Sequence, residues 1–144
     1  SMPLLILGAE KNTENKELCH FVVPSSVNSH LMGDGLAIPI LAYAVLKNFG
    51  MPEPTTAAFM IFAFYFVAAK FSAAGIPGGG IIVMLPVLET YLGFTSDMQS
   101  LVLAIYLLYD PIATCANVMG NGSFAIFIDR CVSWVDQKRT SRAA

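Results

Sequence analysis

The stretch that decides the fold is Gly75-Ile76-Pro77-Gly78-Gly79-Gly80, which joins apolar segments at residues 55–74 and 81–93. The second segment is too short to cross a membrane, because a spanning helix needs about 20 apolar residues. If both flanking connections lie on one side, the chain must enter the membrane, turn at the glycines and leave again. Glycines at such a turn leave backbone N–H and C=O groups open to a ligand. The pattern predicts a re-entrant helical hairpin over residues 55–93.

A phosphate-binding loop is the rival interpretation of this glycine run. That motif continues with Lys and then Ser or Thr, whereas Ile81 and Ile82 follow here. The flanking segments are also apolar enough for a membrane, so the hairpin is the interpretation kept.

Composition places the whole chain in a membrane. The 144 residues are 56% hydrophobic and only 12% charged, and the mean hydropathy is +0.64. A net charge of −2 offers no basic surface for nucleic acid. Three cysteines are too few and too scattered for a disulfide framework or a zinc site.

The basic residues predict the orientation in the membrane. Residues 9–18 and 130–144 hold every Lys and Arg except Lys47 and Lys70. Because cytoplasmic loops are enriched in Lys and Arg, both segments are expected inside the cell. The connections at residues 48–55 and 93–98 are then expected outside.

The first crossing, residues 18–49, does not have the pattern of a plain helix. Residues 25–30 are polar where lipid demands apolar side chains, and Gly33-Asp34-Gly35 suggests unwound backbone. Such a break is tolerated at membrane depth only where protein or a watery cavity covers it. A kinked helix with satisfied polar groups is the alternative.

The third segment, residues 98–131, carries a polar stripe. Asp110-Pro111 interrupts it, and Pro111 cannot donate to the carbonyl of residue 107. Asp110, Thr114, Asn117 and Asn121 follow at i, i+4, i+7 and i+11, within an arc of roughly 60° on one helix face. An ionisable residue on an intramembrane stripe indicates a binding site. Hydrogen bonding between helices is the alternative and needs no acid.

These motifs together resemble the C-terminal core of the dicarboxylate/amino acid:cation symporters, the glutamate-transporter family. Residues 21–24 (FVVP) resemble the start of its seventh helix, and residues 30–35 (HLMGDG) its Asn-Met-Asp-Gly-Thr break. Residues 75–80 resemble the tip of the second hairpin, and residues 110–121 the eighth helix. Met2-Pro3 resembles the Leu-Pro after the first hairpin's tip.

The resemblance implies an all-α membrane protein with broken transmembrane helices and a re-entrant hairpin. The expected segments are the end of the first hairpin, a broken helix, the second hairpin, a second broken helix and a cytoplasmic tail, at residues 1–9, 18–49, 55–93, 98–131 and 132–144. It further implies that six more helices precede Ser1 and that the full-length chain forms a homotrimer.

Substrate roles follow from the same resemblance. Asp110 would accept a hydrogen bond from the substrate's α-amino group. Thr114 would continue the site, and the Asn117 amide would bind the α-carboxylate. Ile76 and Gly80 would close the gate through their backbones.

The position of Ala113 bears on the substrate's side chain. Members that take acidic substrates have an arginine there, which alanine cannot replace. The resemblance therefore implies a small neutral amino acid or a related carboxylate.

Cation roles follow less directly, because several positions differ. His30 aligns with a sodium-binding asparagine, and Asp34 matches the family acid after a one-residue insertion. Asn117 and Asn121 would contribute amide oxygens, although Asn121 stands in place of an aspartate. Tyr106 replaces another family acid. Na⁺ or H⁺ is the expected coupling ion. His30 would make the coupling proton-dependent, since imidazole titrates near neutral pH, and a structural histidine with satisfied hydrogen bonds is the alternative.

Lys70 lies near a position where the family's backbone carbonyls hold sodium. Its ammonium would substitute for that cation, or alternatively the side chain would snorkel toward the outside.

The resulting hypothesis is the core of a secondary symporter that works by alternating access. It would be a multi-pass protein of the plasma or inner membrane, with no cofactor and no nucleic-acid partner. The sequence has no Gly-x-Ser-x-Gly or His-Glu-x-x-His motif, so an enzyme is not expected. A transport-inactive remnant or an interaction subunit of the same fold is the alternative.

Overall fold

The structure is a computed structural model that describes residues 2–72 and 79–143. All regular secondary structure in these two ranges is helical, which confirms the all-α prediction there. The helices are α1 (Met2–Glu10), α2 (Lys16–Ser26), α3 (Met32–Asn48), α4 (Thr56–Ser72), α5 (Gly79–Leu92) and α6 (Ser96–Ala143).

Polar side chains and one glycine set several helix ends. The Asn15 side chain accepts a hydrogen bond from the backbone N–H of Leu18 and so caps α2. Thr55 and Thr95 accept in the same way at the starts of α4 and α6. After α3, Gly50 has a φ of 67°, the left-handed conformation that commonly ends a helix and that glycine adopts without steric cost.

The described residues form two compact units. Unit 1 comprises residues 1–31 and 116–144, and unit 2 comprises residues 32–115.

Unit 2 has its core where α3, α4, α5 and the first part of α6 bring apolar side chains together. The helices α4 and α5 pack along each other, and α5 also packs on α3. The largest fully buried side chains of this core are Ile38, Val45, Phe62, Ile81, Met84, Leu88, Met98, Val102 and Tyr106. Tyr106 is the one among these nine that brings a hydroxyl group.

Unit 1 has a smaller core. Residues of α1, α2 and the second part of α6 form it, namely Ala9, Cys19, Val22, Val23 and Ala125. Asp129 holds the connection between α1 and α2, because its two carboxylate oxygens accept from the backbone N–H groups of Glu14 and Asn15 at 2.8 and 3.1 Å.

Large apolar side chains also cover much of the outer surface. Examples in unit 2 are Leu36, Ile40, Met60, Phe64, Leu108 and Ile112, all well exposed. Within the described residues, one helix is long and apolar enough to cross a membrane, over Ser96–Ser141, and two shorter apolar helices cover Thr56–Phe71 and Gly80–Leu92. An apolar exterior suits lipid rather than water.

The prediction of unwound backbone at Gly33-Asp34-Gly35 is wrong. All three residues belong to the first turn of α3, and the interruption between α2 and α3 lies at residues 27–31. The Gly33 position requires glycine for a different reason, a close approach of backbones described below.

The prediction of a broken helix over residues 98–131 is also wrong. Pro111 lies inside α6, which continues through it. A proline removes one backbone hydrogen bond and bends a helix. It need not end the helix when the remaining bonds hold.

The predicted tip of the hairpin is residues 75–80; residues 75–78 lie outside the described residues, and Gly79 and Gly80 begin α5. Its two arms correspond to α4 and α5, which contact each other. At about 1.5 Å per residue the 14 residues of α5 are about 21 Å long, less than the roughly 30 Å of a bilayer's hydrocarbon core.

Candidate functional site

A buried ion pair lies at the centre of the polar groups in unit 2. The Lys70 ammonium donates to Oδ2 of Asp34 at 2.6 Å, and the Tyr106 hydroxyl donates to Oδ1 of the same carboxylate at 2.7 Å. Lys70 is 7% exposed, Asp34 6% and Tyr106 1%. We call these three side chains the Lys70 cluster. Each carboxylate oxygen therefore has a donor, as a buried charge requires.

Gly80 closes one side of the Lys70 cluster. A Cβ placed on Gly80 would lie 2.5 Å from the Lys70 nitrogen, 3.4 Å from the Tyr106 oxygen and 3.6 Å from Oδ2 of Asp34. The absence of a side chain at residue 80 thus lets the start of α5 sit directly on the ammonium. The cluster joins four elements: the first turn of α3, the last turn of α4, the start of α5, and α6.

Gly33 brings the start of α3 against the backbone of α6. A Cβ on Gly33 would lie 2.0 Å from the carbonyl oxygen of Ala113 and 2.8 Å from its carbonyl carbon. Such a distance is impossible for a real side chain, so only glycine permits this contact. The adjacent Asp34 is positioned by the same approach.

Unit 1 has its own buried polar group, Asn121. It is 2% exposed; its Oδ1 lies 2.6 Å from the Ser26 hydroxyl, and its amide donates to the carbonyl of Val23 at 3.3 Å. His30, also in unit 1, stacks on Phe124 with ring centroids 4.8 Å apart. These contacts show how two of the predicted cation ligands are held.

The remaining predicted residues are distributed along α6. Asp110 is half-buried and Thr114 is exposed in unit 2, whereas Asn117 is half-buried in unit 1. Ala113 is 1% exposed. Ile76 lies outside the described residues.

Sequence reasoning missed two partners. Tyr106 was noted only as a replaced acid and Ser26 only as a polar residue, yet each contacts a predicted site residue. A signal for Tyr106 existed, since it lies four residues before Asp110 and so faces the same side of the helix. No comparable signal linked Ser26 to Asn121, which is 95 residues away.

The Lys70 cluster determines what the site can do chemically. Both oxygens of Asp34 are engaged, and the site carries one positive and one negative charge in contact. No three His, Cys, Asp or Glu residues in the described part of the chain are grouped to hold a metal ion. The arrangement therefore holds two opposite charges in contact, with little exposure to solvent.

An ion pair buried among apolar helices is typical of membrane transport proteins. Comparison with known proteins gives the family within this class. The model of the sodium:dicarboxylate symporter family matches residues 1–131. The chain belongs to the sodium:dicarboxylate symporter family, which confirms the resemblance. It is thus an integral membrane protein of a transporter family, not of an enzyme family.

Similar proteins include excitatory amino acid transporter 1 from Rattus norvegicus and from Homo sapiens, each 31% identical over 114 residues. Excitatory amino acid transporter 3 from Mus musculus is 27% identical over 112 residues. Each match covers 78% of this chain but only 20% or 21% of the relative. The chain thus spans about a fifth of the length of these relatives. No solved structure gives a significant match.

Proposed function

We propose that this chain forms the substrate- and cation-binding part of a secondary active symporter for a small amino acid. The observation that carries the proposal is Asp110, a half-buried carboxylate inside a helix that is long and apolar enough to cross a membrane. Ionisable residues in such a position are costly and mark substrate or ion pathways.

The substrate is held along α6. Asp110 accepts the α-amino group in a charge-assisted hydrogen bond, which is strong in a low-dielectric site. One turn further on, Thr114 adds a hydroxyl, and the Asn117 amide donates to the α-carboxylate. The helical spacing of these three residues supports a common direction for their side chains.

The substrate's own side chain is small and neutral. Ala113 is buried, and Gly33 lies directly against the Ala113 backbone. The Ala113 methyl group can supply neither a charge nor a hydrogen bond to a substrate carboxylate. The relatives' names refer to excitatory amino acids, and the proposal for this chain differs from them in this respect. A related small carboxylate without a second charge is the other substrate that the site would accept.

The coupling cation, Na⁺ or H⁺, binds at polar groups of unit 1, which contains the interruption between α2 and α3. His30, Asn117 and Asn121 are the proposed contacts for the dissolved ion. Asp34 already holds the Lys70 ammonium, which is 2.6 Å away. The lysine is therefore proposed as the substitute for a cation at that carboxylate.

Transport proceeds by alternating access, with α4 and α5 as the arms of the gate and the backbones of Ile76 and Gly80 at its closing edge. The complete protein is a homotrimer in the plasma or inner membrane. Its residues 9–18 and its C-terminus face the cytoplasm.

The test is substrate binding by the Asp110→Ala variant of the complete natural polypeptide. We expect loss of alanine and serine binding, measured by isothermal titration or by uptake into vesicles, with no loss of folded protein. Asp97→Ala is the matched control, because Asp97 is an exposed acid on the same helix. Binding that survives Asp110→Ala would refute the site.

Competing substrates test the proposed neutrality. Unlabelled alanine and serine should displace the labelled substrate, and glutamate and aspartate should not. If the wild-type protein binds no amino acid at all, the transport-inactive alternative is the correct one.

A further inference from the structure

We infer that Lys70 is a tethered cation, one that permanently replaces a single exchangeable Na⁺ at the Asp34 carboxylate. The inference rests on the proposed symport function and deepens it. It states that the Asp34 position adds no dissolved cation to the number transported with each substrate. Its consequence is that this position requires no dissolved ion in any step of transport.

The first support is the donor set around the ammonium. A carboxylate oxygen of Asp34 lies 2.6 Å from Nζ of Lys70, and the Tyr106 oxygen lies beside the same carboxylate. Hard cations in proteins are bound by carboxylate and other oxygen ligands. The surroundings of the ammonium therefore have the chemistry of a cation site.

The second support is the lack of space for an additional ion. The backbone of Gly80 lies so close that even one methyl group there would be 2.5 Å from the Lys70 nitrogen. Both Asp34 oxygens already accept hydrogen bonds. A dissolved cation at Oδ2 of Asp34 would therefore compete with the lysine for that oxygen.

The third support is the position of the cluster in the chain. Lys70 lies in the last turn of α4 and Gly80 at the start of α5, so the ammonium sits between the inner ends of the two arms. Asp34 links the Lys70 ammonium on α4 and the Tyr106 hydroxyl on α6 to the first turn of α3. An exchangeable ion would have to arrive before these contacts could form, whereas folding itself delivers the lysine.

A simple structural ion pair is the competing explanation, and it makes a different prediction. If the pair is only structural, loss of Lys70 leaves the Asp34 carboxylate buried and unpaired, with no site that Na⁺ can fill. Loss of a tethered cation leaves a vacant cation site that dissolved Na⁺ can fill.

The experiment compares Lys70→Ala with wild type in the complete natural polypeptide, purified in detergent. Melting temperature is measured against NaCl, with choline chloride keeping the ionic strength constant. We expect the variant to gain a saturable, Na⁺-specific rise in melting temperature that wild type lacks. In vesicles, the slope of log uptake against log Na⁺ concentration should rise by one below saturation.

Two further variants define the site. Lys70→Met combined with Asp34→Asn removes both charges at similar volume and should show no added Na⁺ effect. Lys70→Ala combined with Tyr106→Phe removes one oxygen from the site. This double variant should need roughly tenfold more Na⁺ than Lys70→Ala alone for the half-maximal rise in melting temperature.

The outcomes separate the hypotheses. Recovery of folded Lys70→Ala in NaCl but not in choline chloride supports the tethered cation. Folded Lys70→Ala without a Na⁺-specific gain refutes it, as does recovery in neither salt while the neutral double variant folds. A Na⁺-specific gain in a protein that binds no amino acid supports the cation site and refutes the symport function.

Discussion

At residue 33, a single methyl group decides whether the start of α3 can lie against α6. The atoms that it would meet are the backbone carbonyl and Cα of Ala113, at 2.0 to 3.0 Å, and backbone cannot rotate away as a side chain can. Gly33→Ala should therefore lower the free energy of unfolding by about 1–3 kcal/mol, the usual cost of overpacking. Denaturant or thermal unfolding in detergent measures the change.

Gly35 provides the control for this prediction. It lies in the same helical turn, and a Cβ there would meet nothing within 4 Å. Gly35→Ala should be neutral or stabilising by up to about 1 kcal/mol, because alanine is the better helix former. Equal stability of the two variants would show that the close approach at Gly33 does not exist.

Residue patterns predicted some of the candidate site but not its central contact. The spacing of Asp110, Thr114 and Asn117 is a local property of one helix, so the sequence displays it directly. The Asp34–Lys70 pair joins residues 36 positions apart on different helices. No periodicity reports such a pair, because it depends on the tertiary arrangement that brings the start of α3 to the end of α4.

Among the elements, the start of α2 depends on a side chain far away in the sequence. The buried carboxylate of Asp129 accepts from the backbone N–H groups of Glu14 and Asn15. Asp129→Ala should destabilise the protein by about 1.5–3 kcal/mol, since hydrogen bonds to a charged group are lost. Amide exchange should also become faster in residues 11–18, the connection and the first turn of α2.

Asp136→Ala is the matched substitution, because Asp136 is an exposed acid on the same helix. It should leave the free energy of unfolding within about 0.5 kcal/mol of the wild-type value and should leave amide exchange unchanged. Equal amide exchange at residues 11–18 in the two variants would exclude the role given to Asp129.

The elements themselves were predictable where composition alone decides them. Apolar segments of 13 to 20 residues with few charges predict helices, and the described residues within them are almost all helical. The two errors, at Gly33-Asp34-Gly35 and at Pro111, have one origin. Glycine and proline weaken a helix locally, but close packing at Gly33 and the intact bonds on either side of Pro111 outweigh that cost.

For the whole molecule, the decisive prediction concerns which segments face the cytoplasm. Cys131 is exposed and lies at the start of the basic tail, whereas Glu53 lies in the connection expected outside. In a variant that retains only Cys131, a membrane-impermeant thiol reagent should label opened cells but not intact ones. Glu53→Cys, as the single cysteine of a second variant, should be labelled in both. The nearby Lys47 ammonium, 2.9 Å from Glu53 in the native protein, favours the reactive thiolate.

The opposite labelling pattern would invert the proposed topology. Labelling of both cysteines in intact cells would mean that the two segments share one side, contrary to the distribution of basic residues. A control shows that the protein is inserted in the membrane. Protein of native size should remain in isolated membranes after carbonate extraction.

The Lys70 cluster also has an electrical consequence for the whole molecule. A membrane potential acts on charge that moves through it, at about 2.3 kcal/mol per elementary charge per 100 mV. Lys70 and Asp34 belong to one chain and are in contact, so in the proposed transport cycle they would move together as a neutral dipole. An exchangeable Na⁺ at Asp34 would be carried one way and released, adding one net charge to each turnover. With the lysine in its place, the proposed transport would draw nothing from the voltage at this position, and any current would come from the remaining ions.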